Sequence, residues 1–276
     1  MATLPASERL SDSEFERITE LAYRTCGINL KKGKRELVQS RLAKKVREGH
    51  FKSFHEYYIS VVADRTGEEV TALVDALTTN FTSFYREPAH FDFLRKTIAP
   101  QFHRPLRIWS AGCSSGEEPF TIAFSLLEEL GIPAFDQIRI LATDISTRAL
   151  AAAEQATYAS LRLDELPTEW LRKYLLRCDA GTQVWYRVKP RIRSMIEFRR
   201  LNLIEPFSSL PTFDVIFCRN VMIYFHKSTQ EELVGRLVER LAPGGYLLIG
   251  HSESLNTFEH RLEYVMPAVY RRPLEQ

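Results

Sequence analysis

Short apolar segments alternate with helix-like segments after residue 105, and this alternation restricts the fold more than any other feature of the chain. Six segments have the length and composition of strands: residues 106–111, 138–143, 196–201, 215–218, 246–249 and 265–270. Short apolar strands separated by amphipathic helices are typical of βαβ units, and therefore of a mostly parallel sheet covered by helices. The pattern predicts an α/β domain over residues 99–276.

The first hundred residues have a different pattern, which is typical of helices. Ser11 and Glu14 resemble the start of a capped helix, and apolar residues such as Phe15 and Ile18 follow at helical spacing. Glycines separate three further helical stretches, the last of which is expected to end near Tyr85. We therefore predict a helical domain over residues 1–76 and a linker helix over residues 77–98.

The composition argues against several classes of protein. The chain has 276 residues, 45% of them hydrophobic, which is enough for a sizeable core, and its net charge of +2 does not indicate nucleic-acid binding. No apolar run approaches the ~20 residues of a membrane span and no signal peptide is evident, so we expect a cytoplasmic protein without membrane insertion. The four cysteines form no C-x-x-C pair and the seven histidines no ligand motif, so no metal site is expected.

A glycine turn lies between the first strand and the helix that follows it. Gly112 and Gly116 occupy the position of a nucleotide-binding turn, but no lysine is present to hold a phosphate. Glu117 and Glu118 would repel a pyrophosphate and cancel the attraction of the helix amino terminus for anions. The turn therefore favours a ligand that lacks phosphate and carries a cationic group, as S-adenosylmethionine does. A simple tight turn between strand and helix is the alternative.

Polar residues follow two further strands and lie on the ligand side of the predicted sheet. Asp144 ends the second strand, where Rossmann folds place an acid that binds ribose hydroxyls. Alternatively, Asp144 caps the next helix, a role that Ser146 could equally fill. Arg219, Asn220 and Tyr224 follow the strand at 213–218, and ligands in open α/β sheets lie beyond the carboxyl ends of strands. Each of these side chains could instead be a helix cap or a core residue.

Five motifs together carry a resemblance to a known family. They are TTNFTSFYRE at residues 78–87, SAGCSSGEEPFTIA at 110–123, ATDIS at 142–146, FDVIFCRNVMIYF at 213–225 and GHSESL at 250–255. These motifs resemble the chemotaxis-receptor methyltransferases of the CheR family, and the resemblance spans nearly the whole chain. It implies a Rossmann-like class I S-adenosylmethionine-dependent methyltransferase domain with a small antiparallel β-subdomain insert, preceded by an all-α N-terminal domain.

The resemblance also implies roles for individual residues. Cofactor contacts are expected from Asn80, Thr82, Arg86, Glu118, Asp144, Asn202, Leu203, Asn220 and Val221. Among these, Glu118 is similar to the residue that holds the methionyl ammonium and Asp144 to the acid that binds ribose. Asn202 and Leu203 match a pair beside the adenine, whereas Glu117 is expected to be only a first-turn helix carboxylate. Arg86 and Tyr224 match residues near the transferred methyl group and are the expected catalytic residues.

The implied reaction is the methylation of receptor glutamates to γ-glutamyl methyl esters, with S-adenosylhomocysteine as the second product. A glutamate with a pKa near ~4.3 is already ionised at neutral pH, so no general base is required. Positioning and the exclusion of water should supply most of the acceleration, because opposite charges combine in the transition state. The alternative is methylation of another protein or of a small-molecule carboxylate. A nucleic-acid methyltransferase is less favoured, since an Asn/Asp-Pro-Pro-aromatic loop is missing after the strand at 213–218.

A basic stretch in the helical domain is the first of two segments expected to contact the receptor. Residues 31–49 carry eight Lys or Arg and two Glu, with Leu37, Leu42 and Val46 expected to face inward. Electrostatic attraction to an acidic helical receptor bundle would recruit the protein to membrane receptor arrays. A solvated helix face is the alternative. We expect no nucleic-acid partner, and we expect a monomer.

The insert at about residues 157–200 is the second segment. Its sequence indicates a helix over 168–176, a turn at Asp179-Ala180-Gly181 and a strand over 184–189, with residues 192–199 continuing in β character. In the family this insert is a small antiparallel sheet, and in some members it captures a C-terminal receptor peptide by adding a strand to a sheet edge. For this chain we expect contact with the receptor through the edge at 184–189. Peptide capture and simple shielding of the main sheet both stay open.

Overall fold

The computed structural model describes residues 9–101, 105–180 and 183–274. The chain divides into two units, of which the first holds the residues up to 79 together with 224–229. The second unit holds residues 80–223 and the residues from 230 onward. None of the helices formed by the described residues has the length and apolar character that a membrane crossing requires.

The described residues of the first unit include four α-helices: α1 (Asp12–Cys26), α2 (Arg35–Glu48), α3 (Phe54–Ala63) and α4 (Glu68–Leu77). Ser11 and Glu14 cap α1 reciprocally, and Gly27 ends it with φ of 75°. Apolar residues from all four helices form one buried core. Helix α2 contributes Val38, Leu42 and Val46 to this core. The expectation that Leu37 faces inward is wrong: it is 37% exposed, because helical spacing of four residues from Leu42 selects Val38.

The segment between the helical unit and the first strand is not one helix. Residues 78–87 are non-helical, and α5 (Pro88–Phe93) is followed by a π-helical turn, Leu94–Ile98, and a short 3-10 turn. Tyr85 and Glu87 have φ of 55° and 59°, in the left-handed region that interrupts a helix. Pro88 then fits the first position of α5, where its missing N–H costs nothing. The linker helix expected over 77–98, and the helical stretch expected to end near Tyr85, are therefore broken here.

The described residues of the second unit also form ten strands and five more helices. The strands are β1 (Leu106–Ala111), β2 (Ile138–Asp144), β3 (Thr157–Ala159), β4 (Leu175–Ala180), β5 (Gln183–Val188), β6 (Ile196–Arg200), β7 (Phe213–Cys218), β8 (Leu241–Ile249), β9 (Glu263–Met266) and β10 (Val269–Arg271). The helices are α6 (Glu117–Leu130), α7 (Thr147–Gln155), α8 (Thr168–Tyr174), α9 (Pro190–Arg193) and α10 (Lys227–Arg240), the first residues of α10 being grouped with the first unit.

Seven of these strands form one sheet in the order β6-β2-β1-β7-β8-β10-β9. The first five are parallel to one another, and β10 is antiparallel to both β8 and β9. Strands β2 and β6 lie on one side of β1, and β7 and β8, which follow later in the chain, lie on the other side. The order of the strands therefore changes direction between β1 and β7. Open α/β sheets bind ligands at such a point, beyond the carboxyl ends of the strands. The predicted parallel α/β domain is confirmed. The single strand expected over 265–270 is wrong, because Ala268 turns the chain with φ of 62° and separates β9 from β10.

The insert forms a second sheet, in which β3, β5 and β4 are antiparallel neighbours in that order. The small antiparallel sheet is thus confirmed, with three differences in detail. Helix α8 ends at Tyr174, because Leu175 and Leu176 already pair in β4. Residues 192–195 include the end of α9 rather than a strand, and β6 belongs to the main sheet. The predicted edge strand at 184–189 is central, so the outer strands are β3 and β4; Gly181 of the predicted turn lies outside the described residues.

Candidate functional site

The glycine turn joins β1 to α6 and is fixed against the end of β2. The N–H groups of Gly112 and Cys113 donate to the carbonyl oxygen of Thr143, at 2.7 and 2.9 Å. Gly112 has φ of 89°, and a Cβ there would lie 2.3 Å from Cγ2 of Val221. Only glycine therefore fits at this position, and Val221, which follows β7, packs directly on the turn.

Asp144 braces the same turn from the end of β2. Its Oδ2 accepts a hydrogen bond from the N–H of Ser114 at 2.8 Å, and its Oδ1 accepts one from the N–H of Ser146 at 2.9 Å. Ser146, not Asp144, caps α7, because its hydroxyl accepts from the N–H of Ala149. Asp144, the last residue of β2, is only 9% exposed.

The segment 80–87 contacts this region through Asn80. The side-chain amide of Asn80 donates to the Ser146 hydroxyl at 3.2 Å, and the main-chain carbonyl oxygen of Asn80 accepts from the Ser114 hydroxyl at 3.1 Å. A cavity of about 410 Å³ lies alongside, lined by Asn80, Phe81, Thr82, Ser83, Leu161, Arg162, Asp164 and Glu165. Arg86 donates to the carbonyl oxygen of Phe81 at 3.3 Å, with its guanidinium 5.8 Å from the exposed Phe81 ring.

Glu118 belongs to a buried cluster of three charges. Its Oε1 accepts from the Ser110 hydroxyl at 2.7 Å, and its Oε2 lies 3.0 Å from Nη1 of Arg219. Nη2 of Arg219 lies 3.1 Å from Oε2 of Glu87, and the Arg219 side chain is only 2% exposed. Burial raises the pKa of Glu118 above its ordinary value, and Arg219 offsets this only in part.

Glu117 points to different partners although it is the neighbouring residue. It is fully buried, forms an ion pair with Arg162 and accepts a hydrogen bond from the Ser115 hydroxyl at 2.7 Å. Burial raises the pKa of Glu117, and the nearby Arg162 guanidinium lowers it in part. It stands in the first turn of α6, but its burial and its pairing with Arg162 were not foreseen.

The loop after β7 is held by two glutamates. Asn220 has φ of 57°, its N–H donates to Oε2 of Glu253 at 2.9 Å, and its amide lies 3.4 Å from Oε1 of Glu87. Glu253 also accepts from the N–H groups of Gly250 and Ile223, at 2.6 and 3.2 Å. Asn220 and Val221 are thereby tied to the glycine turn and to the segment that contains Arg86.

The remaining candidates lie in two other places. Asn202 and Leu203 follow β6, directly after Leu201, whose N–H donates to the carbonyl oxygen of Asp144 at 3.0 Å. Leu203 is buried and its carbonyl oxygen accepts from Arg236 at 2.9 Å. Tyr224 is grouped with the first unit, where its carbonyl oxygen accepts from the N–H of Asn29 at 2.8 Å.

One group of described residues offers three atoms of the kinds that bind metals. These atoms, on Glu87, His90 and His251, lie within 4.8 Å of one another. Glu87 is already paired with Arg219, whose positive charge disfavours a cation at this point. The group fits a metal poorly.

The sheet order, the acidic glycine turn and the carboxylate after β2 define a class I S-adenosylmethionine-dependent methyltransferase. Residues 80–270 match the family model described as "CheR methyltransferase, SAM binding domain", and residues 13–78 match "CheR methyltransferase, all-alpha domain". The chain therefore belongs to the CheR methyltransferase family, which confirms the resemblance and the expected cofactor.

Curated relatives match this chain over nearly its whole length. "Chemotaxis protein methyltransferase 2" of Pseudomonas aeruginosa is 42% identical, over 93% of this chain and 92% of the relative. "Chemotaxis protein methyltransferase" of Borreliella burgdorferi is 40% identical, over 95% of each chain. The protein of the same name from Salmonella typhimurium is 38% identical, over 95% of this chain and 90% of its own.

Proposed function

We propose that this protein methylates glutamate side chains of chemotaxis receptors, converting them to γ-glutamyl methyl esters and releasing S-adenosylhomocysteine. The observation that carries the proposal is the buried cluster Glu87–Arg219–Glu118 beside an anion-repelling glycine turn, which suits a cationic cofactor. The names of relatives that align over more than nine-tenths of this chain support the receptor as substrate.

The residues around the turn fit the cofactor. Glu118 would hold the methionyl ammonium, since its carboxylate shares a single cation with Glu87. Asp144 would accept hydrogen bonds from the ribose hydroxyls. Further cofactor contacts are assigned to Asn80, Thr82, Arg86, Asn202, Leu203, Asn220 and Val221. Close contact between Val221 and Gly112 supports the loop after β7 as one wall of this site.

When bound, S-adenosylmethionine supplies the methyl group. The substrate glutamate is ionised at neutral pH, so the chain needs to orient it rather than deprotonate it. Arg86 is assigned to orienting this carboxylate, and its half-buried guanidinium beside the exposed Phe81 ring supports the assignment. Tyr224 is assigned to the same step, as a hydrogen-bond donor or as a wall that excludes water.

Two surfaces are assigned to the receptor. In the helical unit, α2 exposes basic side chains such as Lys44, which is 74% exposed, toward an acidic helical bundle. In the insert, β4 is an outer strand and could accept a C-terminal receptor peptide as a further strand. The protein would act as a cytoplasmic monomer recruited to receptor arrays in this way.

Methyl transfer can be followed with methyl-labelled S-adenosylmethionine and membranes that contain the organism's receptors. Alkali should release the label as volatile methanol, because methyl esters hydrolyse. Asp144→Ala should weaken cofactor binding by ~1–3 kcal/mol, since the ribose hydroxyls lose the carboxylate that accepts their hydrogen bonds. Glu129→Gln, which changes an exposed carboxylate on α6, is the matched control. Label that is stable to alkali, on nitrogen or on nucleic acid, contradicts the proposal.

A further inference from the structure

Glu87 connects three segments of the site, although sequence motifs gave it no role. Its Oε2 lies 3.1 Å from Nη2 of Arg219, and its Oε1 lies 3.4 Å from the amide of Asn220. The N–H of His251 donates to both carboxylate oxygens at 3.3 Å. Glu87 itself has φ of 59°, so the backbone adopts an unfavourable conformation where this side chain enters the cluster.

The charges of the cluster are unequal. Among the described residues, Arg219 is the cation paired with both Glu87 and Glu118, and these three groups together carry one negative charge. The adjacent His90 is neutral near pH 7, because burial above all lowers its pKa to about 4. Burial raises the pKa of Glu87, but Arg219 and the N–H of His251 outweigh this effect, so the group stays ionised.

This imbalance has a consequence for ligand binding. Without the charge of Glu87, Arg219 and Glu118 would form a neutral pair, and Glu118 would have little net attraction for a further cation. With Glu87 ionised, Arg219 is shared, and one negative charge is left for an ammonium group. Buried charges interact strongly because little water screens them.

We propose that Glu87 is a positioning residue that makes Glu118 selective for the ammonium group of the cofactor, by sharing the Arg219 guanidinium. The inference rests on the proposed contact between Glu118 and that ammonium. Glu87 is not required to touch the cofactor for this effect.

The test compares three ligands in the wild-type protein and in Glu87→Gln. S-adenosylhomocysteine has an ammonium and a carboxylate, its decarboxylated analogue keeps only the ammonium, and methylthioadenosine has neither. Calorimetry should show that Glu87→Gln weakens the first two ligands by tenfold or more, on the order expected for losing one buried charge a few ångströms away. Binding of methylthioadenosine should change less than about twofold. A merely structural role of Glu87 would weaken all three ligands equally, and that result overturns the inference.

Two variants separate this inference from the function on which it rests. Glu118→Gln should lose the preference for ammonium-bearing ligands; if it keeps that preference, the assigned ammonium contact fails and the inference fails with it. If Glu118→Gln loses the preference and Glu87→Gln keeps it, the role of Glu87 alone is refuted. Glu87→Asp preserves the charge and should retain most of the preference for ammonium-bearing ligands. If Glu87→Gln folds poorly, this variant tests the charge-based role in its place. Loss of the preference in Glu87→Asp, with methylthioadenosine binding intact, contradicts a charge-based role.

Discussion

At the scale of single residues, two neighbouring glutamates on α6 have different environments. Consecutive helical residues differ by about 100° in direction, so Glu117 and Glu118 cannot share one partner. Glu117 pairs with Arg162, which comes from the segment after β3, and Glu118 pairs with Arg219, which follows β7. Each arginine offsets part of the penalty of burying one carboxylate, and of these two ion pairs that of Arg219 includes a second carboxylate, Glu87.

Cofactor affinity should depend on the ionisation of Glu118. Its pKa is raised in the free protein, mainly by burial, and a bound ammonium would lower it. Affinity should therefore be constant above the free-protein pKa and fall as the pH drops through it, because the ammonium must then displace a proton. Calorimetry across this acidic range should show the decrease in the wild type and a weaker one in Glu118→Gln. Identical pH profiles for the two proteins would contradict the assigned contact.

His90 should make the second unit less stable in acid. Its pKa is lowered to about 4, first by burial and then by Arg219, whereas an unfolded histidine titrates near ~6.5. The unfolded state therefore binds the proton first, and stability is lost as the pH falls from the unfolded pKa through the folded one. The full loss is on the order of 3 kcal/mol.

Urea unfolding followed by tryptophan fluorescence measures this effect, because the three tryptophans, Trp109, Trp170 and Trp185, all lie in the second unit. The stability difference between neutral and mildly acidic pH should be smaller in His90→Gln than in the wild type. His55→Gln, which changes an exposed histidine, should behave as the wild type does. An unchanged pH dependence in His90→Gln would assign the acid sensitivity to other groups.

At the scale of elements, the position of most strands could be predicted from sequence, including the buried β1 and the more exposed β6. Strand β1 was predicted with its observed limits and β7 with its observed end, since each is a short apolar run followed by a polar or small residue. Local patterns do not specify pairing, so the central position of β5 and the separation of β9 from β10 were missed. The break in the predicted linker helix was also missed, because Tyr85 and Glu87 adopt left-handed conformations that their residue types do not indicate.

In the candidate site, too, local signals could be predicted from sequence, whereas contacts between distant segments could not. Glycine spacing and the acid at the end of β2 identified the turn and Asp144, since both are local signals after a strand. Arg219 and Glu87 contact each other across 132 positions of sequence, and Arg162 contacts Glu117 from a separate insert. No periodicity or spacing connects such partners. Their pairing follows only from the order of strands in the sheet.

Substitution by alanine should change the stability of the protein in opposite directions at two glycines. Gly116 has φ of 96°, and a Cβ there would lie 2.9 Å from Oη of Tyr158 and 3.0 Å from Cβ of Ala153. Gly116→Ala should lower the free energy of unfolding by ~1–3 kcal/mol and weaken cofactor binding. Gly235 lies inside α10 with no atom within 4 Å of its Cβ position, so Gly235→Ala should raise stability by ~0.5–1 kcal/mol without changing cofactor affinity. Urea unfolding and calorimetry check both, and a tolerated Gly116→Ala would show that the turn can relax.

At the scale of the whole molecule, charge is distributed unevenly although its sum is small. The net charge is +2, yet α2 and the residues just before it contain eight of the 37 Lys and Arg residues. The apolar face of α2 is buried in the helical unit, and Arg35 and Arg41 bind groups within this protein. Lys44 and Arg47 are exposed. The ion pair between Lys44 and Glu48, at 3.6 Å, is exposed and contributes little to stability.

Attraction between this helix and an acidic receptor should appear in the Michaelis constant and in its response to salt. Lys44→Glu combined with Lys45→Glu should raise the KM for receptor with little change in kcat, because docking is weakened and the cofactor site is untouched.

In the wild type, KM should rise as salt increases, since the Debye length shortens from about 10 Å at 0.1 M to about 3 Å at 1 M. The double variant should lose this rise. Lys96→Glu with Arg261→Glu changes the net charge equally at exposed positions outside the helical unit and should leave KM near that of the wild type. A wild-type KM that is independent of salt would mean that α2 presents only a solvated face.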